Sequence, residues 1–389
     1  MWGHRSVRGA FATFIAANAN IAAAVGSMEK LMNPAPGVQF EPAVTADALS
    51  NVSGGVDEGA RGLADFGFGV NLDRNELDWW PNGRFRFLLV GTGGDSPSEL
   101  AGDVQALDNI DAVETWRLLE AWYEHAFLDD RLGVLVGLYP HDTEFEVLDY
   151  AGLFLKSSFG TSPELSQVGP SIFPTSSFGG RIRYDFGNGF YGMGTVYDGV
   201  PGDPDRPHGT HISFSDGDGI FALTEVGFVE AGEQERARPY MKAGIGGWVH
   251  TATFTDFNGD EEDFNGGLYL IAERALTEKL GVFVQFGAAM SDRNQLDAYV
   301  GGGLNYFGPL PEREEDAFGV AVAHARSTDH FFDATPDLVR AETAVDFTYN
   351  IHITDHISLQ PDVQFIVDPG MDPTVDDSLA IGARLTVKF

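Results

Sequence analysis

Cysteine is absent from the 389 residues, so no disulfide, no thiolate metal site and no lipid-modified cysteine anchor can form. Basic residues are scarce: 24 Lys and Arg stand against 58 Asp and Glu, a net charge of −34. A surface so short of cations cannot neutralise phosphates, which excludes nucleic acid as a partner. No apolar run reaches the roughly 18 or more residues that a membrane helix needs, so a helical membrane protein is not expected. The patterns G-x-S-x-G, the P-loop and H-E-x-x-H are missing as well, which leaves no catalytic residue, no metal-ligand set and no cofactor site marked by motif. A non-enzyme is expected. What the chain has instead is 48 glycines and 12% aromatic residues, a mixture typical of turn-punctuated barrel sheets.

Period-two alternation fills the sequence. From Ser378 to Phe389 one face carries Leu379, Ile381, Ala383, Leu385, Val387 and Phe389; the other carries Ser378, Ala380, Gly382, Arg384, Thr386 and Lys388. Val345, Phe347, Tyr349 and Ile351 oppose Asp346, Thr348, Asn350 and His352. Phe178, Ile182, Tyr184 and Phe186 oppose Arg181, Arg183 and Asp185. About sixteen such segments follow one another, each near the length of a tilted membrane strand, the first two at Gly37–Ala48 and Leu63–Asp73. A soluble sandwich would show the same faces. It would not require the connections to alternate in length, as they do here: Gly187–Gly189 is short, Val200–Asp218 long, Thr277–Lys279 short, Pro140–Thr175 very long. Short turns on one side and long loops on the other are the habit of outer-membrane barrels. Arg74–Asn82 is long for a turn and Ser291–Asn294 short for a loop, the two connections that fit less well.

The expected fold is therefore all-β, a transmembrane antiparallel β-barrel of about sixteen strands with an inward-folded constriction loop over about 140–175. So many strands enclose too wide a space for side chains to fill, which puts water inside and the apolar faces against lipid. The segment 140–175 is too apolar for a plain surface loop; Leu148, Tyr150, Leu153, Phe154 and Leu155 must be buried somewhere. Pro361 falls on an apolar strand face and predicts a bulge there. Residues 28–389 make one barrel domain. Residues 1–27, with Arg5, Arg8, an Ala-rich run and Ala17-Asn18-Ala19, read as a secretory signal peptide or a short N-terminal helix.

Several stretches, in order, resemble one family. SDRNQLDAYVGGGLNYFGPLPEREEDAFGVAVAHARST (Ser291–Thr328) is similar to a signature of carbohydrate-selective porins of the OprB type. LQPDVQFI and the ending IGARLTVKF resemble that family's last two strands, and SSFGGRIRYDFGNGFYGMGTVYDG, FALTEVGF and RLLEAWYEHAFLDDRLGVLVGLYPHDTEF are similar to it too. The terminal Phe389 resembles the assembly signal of bacterial outer-membrane proteins. The resemblance covers roughly Asn51 to Phe389. It implies a pore in the outer membrane of a Gram-negative bacterium for passive diffusion of mono- or small oligosaccharides into the periplasm. It further implies a homotrimer among lipid and lipopolysaccharide, with periplasmic termini. A general, cation-preferring porin is the alternative, because −34 could make a negative lumen.

A pore for sugars needs planar hydrogen-bonding groups for paired hydroxyls and aromatic faces for the C–H side of the ring. Lumen-phase residues of those kinds are Glu120, Trp122, Arg181, Arg183, Glu225, Lys242, Trp248, Asp346, Gln360, Asp362 and Arg384. Each could equally be generic wet lining, and Trp122 could be a girdle aromatic facing lipid. DFNGDEED (Asp256–Asp263) has part of a calcium-loop spacing but lacks the Gly at the sixth position and the Glu at the twelfth, so no metal site is expected. The acidic runs Asp198–Asp205, Asp216–Asp218, Asp256–Asp263 and Asp368–Asp377 fall in long connections. That places the excess charge at the mouths and predicts a narrow zone near balance.

Overall fold

The computed structural model describes residues 31–73, 82–231, 239–335 and 337–389. Sixteen antiparallel strands close into one barrel. They are β1 (Val38–Gly55), β2 (Gly59–Leu72), β3 (Gly83–Gly94), β4 (Thr115–Phe127), β5 (Leu132–Tyr139), β6 (Ser177–Gly187), β7 (Phe190–Asp198) and β8 (Ile220–Ala231). Next come β9 (Pro239–His250), β10 (Asn265–Ala275), β11 (Leu280–Ala289), β12 (Leu296–Phe307), β13 (Ala317–Ser327), β14 (Ala341–Thr354), β15 (Ile357–Val367) and β16 (Asp376–Lys388). The last strand closes on the first, with Ala43 opposite Lys388 and Asp47 opposite Arg384. Closure leaves no strand edge exposed, which a lipid environment demands. The first two strands run further than the alternation predicts. They continue through small and polar residues to within three residues of each other, because each backbone group there still finds a ladder partner down to Asn51–Gly59.

Large apolar residues face outward all round the wall: Phe87 on β3, Trp116 on β4, Ile182 on β6, Ile245 on β9, Val322 on β13 and Leu385 on β16 are all exposed. Exposed apolar surface on this scale is a lipid-facing belt. The alternate positions point inward. No bulge forms at Pro361: β15 keeps one register against β16 across Pro361–Ala383. Toward β14 the ladder passes from Thr348–Asp362 to Ile351–Leu359 without slipping. Side chains take over where the proline lacks a donor. Asn350 donates to Gln360 Oε1 at 3.1 Å, and Gln360 Nε2 donates to Thr348 Oγ1 at 2.8 Å.

The inside is not uniformly wet. Phe221, Leu223, Trp248, Tyr269, Ile271, Phe283 and Tyr299 point inward from β8 to β12, and they pack with Phe145, Leu148, Tyr150, Phe154, Phe159 and Leu165 of the 140–176 connection. That connection folds into the barrel and fills one side of it with an apolar core. Gly281 and Gly319 make room: a Cβ on either would stand 2.5 Å from the Tyr150 ring or 2.7 Å from the Phe154 ring. The wall gives up side chains there so that rings can lie on backbone. The connection 95–114 also turns inward, which the sequence did not announce. Leu100, Ala101, Gln105, Leu107 and Asp108 are buried, and Gln364 Nε2 on β15 donates to Leu107 O at 2.8 Å. The proposed leader, residues 1–27, lies outside the described residues, as do most of the β2–β3 turn and residues 232–238.

Candidate pore and its lining

The two infolded connections hold mainly to β6 and to β8 through β16, with a further contact from Leu100 to Asn51 on β1, and the cleft that remains at the short-turn end is lined from β1 to β4. β3 reads GRFRF at its start: Phe85 and Phe87 go to lipid, Arg84 and Arg86 to the lumen. β4 needs a break in alternation. Arg117 and Glu120 are three apart, which an even strand would put on opposite faces. The register shifts between Leu88–Glu120 and Leu89–Leu118, so both face inward. The result is a cleft of about 800 Å³ at the short-turn end, lined by Gln39, Asn71, Asp73, Arg84, Arg86 and Trp122.

Arg86 is held from three sides. It donates to Glu41 at 2.8 Å, to Asn71 at 2.9 Å and to Glu120 at 3.1 Å. Glu120 in turn accepts from Trp122 Nε1 at 2.6 Å. The Arg84 guanidinium lies over the Trp122 ring at 5.2 Å and pairs with Glu124 at 2.6 Å. An aromatic face, two fixed guanidiniums and three carboxylates thus converge on one opening. Trp122 faces this cleft, not lipid. Alternation marks Glu120 and Trp122 for the lumen; Arg84, Arg86, Glu41 and Asn71 join them in the folded sheet. The RFRF alternation was the available signal.

The remaining candidates divide by what they touch. Arg181 is buried between Glu124, at 2.9 Å, and Glu144 of the infolded segment. Glu225 accepts from Tyr191 at 2.6 Å, Tyr269 at 2.7 Å and the Glu146 backbone N–H at 3.0 Å. Lys242 donates to Val147 O, and Gln360 to Leu153 O at 2.6 Å. All four hold the 140–176 segment to the wall. Trp248 stacks on Phe221 in the apolar core. Asp346 and Asp362 are buried neighbours on β14 and β15, with Gln364 donating to Asp362 at 3.0 Å. Arg384 ties Asp47, at 2.7 Å, to Asp108 and Asn109 of the 95–114 connection, at 2.9 and 2.7 Å. Arg183 lies over the Tyr191 ring at 4.5 Å. One buried ion pair joins the two infolded connections: Lys156 Nζ to Asp103 at 2.7 Å, both side chains fully buried.

Carboxylates outnumber cations inside as well as at the mouths. Glu146 and Glu164 on the 140–176 connection and Glu225, Glu273, Glu342, Asp346 and Asp362 on the wall are all buried. These groups are sealed away from the open cleft, which sets Arg84 and Arg86 against Glu41, Glu120 and Glu124. In the acidic 256–263 stretch, the Asp256 carboxylate accepts from the backbone of Asn258 and Asp260. The Asp260 backbone donor first, then the Asn258 amide, hold it below the usual carboxylate range.

A closed sixteen-strand barrel with a lipid-facing belt, infolded connections and a polar cleft defines a porin of the bacterial outer membrane. The chain belongs to the carbohydrate-selective porin, OprB family, whose family model matches residues 57–389. It is a sugar-conducting channel and not an enzyme. Porin B of Pseudomonas aeruginosa is 22% identical over 91% of this chain and 88% of that protein. A structure of Pseudomonas putida OprB at high pH superposes with a TM-score of 0.81 at 20% identity, covering 91% of this chain and 94% of the other. The outer-membrane channel DcaP of Acinetobacter baumannii gives 0.58 at 10% identity over 90% and 97%.

Proposed function

We propose that sugars pass along the β1–β4 wall and are held at the cleft of Arg84, Arg86, Glu120 and Trp122. The observation that carries this is the Glu120 carboxylate, which fixes Arg86 on one side and the Trp122 ring on the other. Guanidinium and carboxylate oxygens offer paired donors and acceptors to adjacent hydroxyls, and the indole face offers a surface to the C–H side of a pyranose. Such contacts are weak enough singly for the solute to leave. Arg181, Glu225, Lys242 and Gln360 act one step back, by setting the 140–176 segment as the narrowing opposite the cleft. Arg384 does the same for the 95–114 connection through Asp108 and Asn109, while Asp346 and Asp362 lie buried side by side on β14 and β15. Arg183 and Trp248 complete the wall. The chain works as a homotrimer with both ends of the sheet, Val38 and Lys388, facing the periplasm. Single-channel recording in planar bilayers tests the reading: glucose or maltose should block current in a concentration-dependent way. Current unaffected by any sugar would favour a general cation-preferring porin.

A further inference from the structure

The opposite mouth, where the long connections gather, holds a second cavity of about 510 Å³. Ile172, Phe173 and Pro174, from the end of the infolded segment, form one wall; Pro201, Pro204 and Pro207 form another. Arg117 lines it and is only 5% exposed. One of its guanidinium nitrogens donates to Pro207 O at 2.8 Å and another to Thr175 Oγ1. Both acceptors are neutral. Its Nε has no partner, and no carboxylate among the described residues lies within 4.0 Å. Arg86, Arg181, Arg384 and Lys156, by contrast, each have a carboxylate. The other charges of the lining, Asp203 and Arg206, neutralise each other at 2.6 Å. His211 and His250 are each bonded to a backbone carbonyl. In a chain of net charge −34, this cavity is locally positive.

A buried cation facing only neutral oxygens is incomplete without an anion. An arginine has five N–H donors, so after two bonds three remain for one. We propose that this cavity captures cyclic monocarboxylates at the mouth. The carboxylate pairs with the free side of Arg117, and the ring lies on the proline and phenylalanine walls. Sugar acids and apolar ring acids share that chemistry. The proposal rests on the porin reading and names a solute class for it.

The test is block of single-channel current by glucose, glucuronate, glucuronamide and benzoate, added to either side in 1 M salt, where the general charge of the protein is screened. Glucuronate added from the long-connection side should half-block at a concentration tenfold or more below glucose. Glucuronamide, with the same ring and no charge, should match glucose. Benzoate weaker than glucuronate assigns the site to sugar acids; benzoate stronger assigns it to apolar ring acids. Arg117→Gln should abolish the advantage and Arg117→Lys keep much of it. Equal block by glucuronate and glucuronamide in the unaltered protein would overturn the proposal, whether or not the variants fold. Absence of glucose block altogether would instead overturn the sugar-cleft reading.

Discussion

Trp122 keeps its place in the cleft through two neighbours, the Glu120 carboxylate at its Nε1 and the Arg84 guanidinium on its face. Trp122→Ala removes the stacking surface and should raise the half-blocking glucose concentration roughly tenfold, equivalent to about 1.4 kcal/mol. Single-channel conductance to salt should not fall, since a side chain has been taken out of the path. Glu120→Gln retains the acceptor for Trp122 but weakens the hold on Arg86, and should cost sugar affinity less than Trp122→Ala. A reversal of that order in the block titration would move the main contact from the ring to the guanidinium. At this scale the sequence was half legible. Alternation assigned Trp122 and Glu120 to the lumen, but it cannot see the shift at Leu119 that turns Arg117, at the other mouth, to the same inner face. Nor can a list of lumen-phase residues tell a group that faces solute from one such as Glu225, whose three donors are already supplied by the molecule.

The 140–176 segment is an element with its own small core, and its anchors make it testable. Lys156 and Asp103 are fully buried, so Lys156→Ala leaves a carboxylate sealed without its cation, a loss of about 3–5 kcal/mol in comparable pairs. The two connections should come loose from each other, seen as larger and noisier open-channel current. Exchanging the pair, Asp103→Lys with Lys156→Asp, should restore quiet channels. Glu146 and Glu164 lie deeper in the same segment. Burial pushes Glu164 up to about 7 and Glu146 well above the usual range, with Glu164 adding to the burial of Glu146. A carboxyl whose folded-state pKa is raised favours the folded arrangement while it is protonated. Its contribution is lost as pH rises from the ordinary carboxylate value through about 7. Current noise should therefore grow between pH 5 and 8, and Glu164→Gln should flatten that dependence. The sequence showed this element by its length and its apolar residues. It gave no such sign for 95–114, whose inward face rests on scattered residues, Leu100, Gln105 and Leu107, with no periodicity to mark them.

For the molecule as a whole, the charge of −34 is spread between mouths and interior, and salt separates the two shares. Exposed carboxylates lose their reach as the Debye length falls from about 10 Å at 0.1 M to about 3 Å at 1 M. Cation preference, read from reversal potentials, should decline steeply over that range; whatever persists at 1 M reports the cleft carboxylates, Glu41, Glu120 and Glu124. Undiminished preference at 1 M together with absent sugar block would mark an ion pore. The barrel was the most legible part of the chain. Closed sheets impose period two and the alternation of connection lengths on every segment, and both survive in plain sequence. The dry side of the lumen was hidden because an inward Phe221 or Tyr269 obeys the same alternation as an inward glutamate.

That dry side makes the conduit eccentric. On the proposed path a solute does not travel down the axis of a tube; it descends a stair built against one side of a round tower. Substitutions on the inner faces of β1 to β4 should change what gets through, and those on the inner faces of β8 to β15 should change whether the stair stands. A barrel built this way can acquire a new preference from changes on a few neighbouring strands while the rest of its circumference goes on bearing the weight.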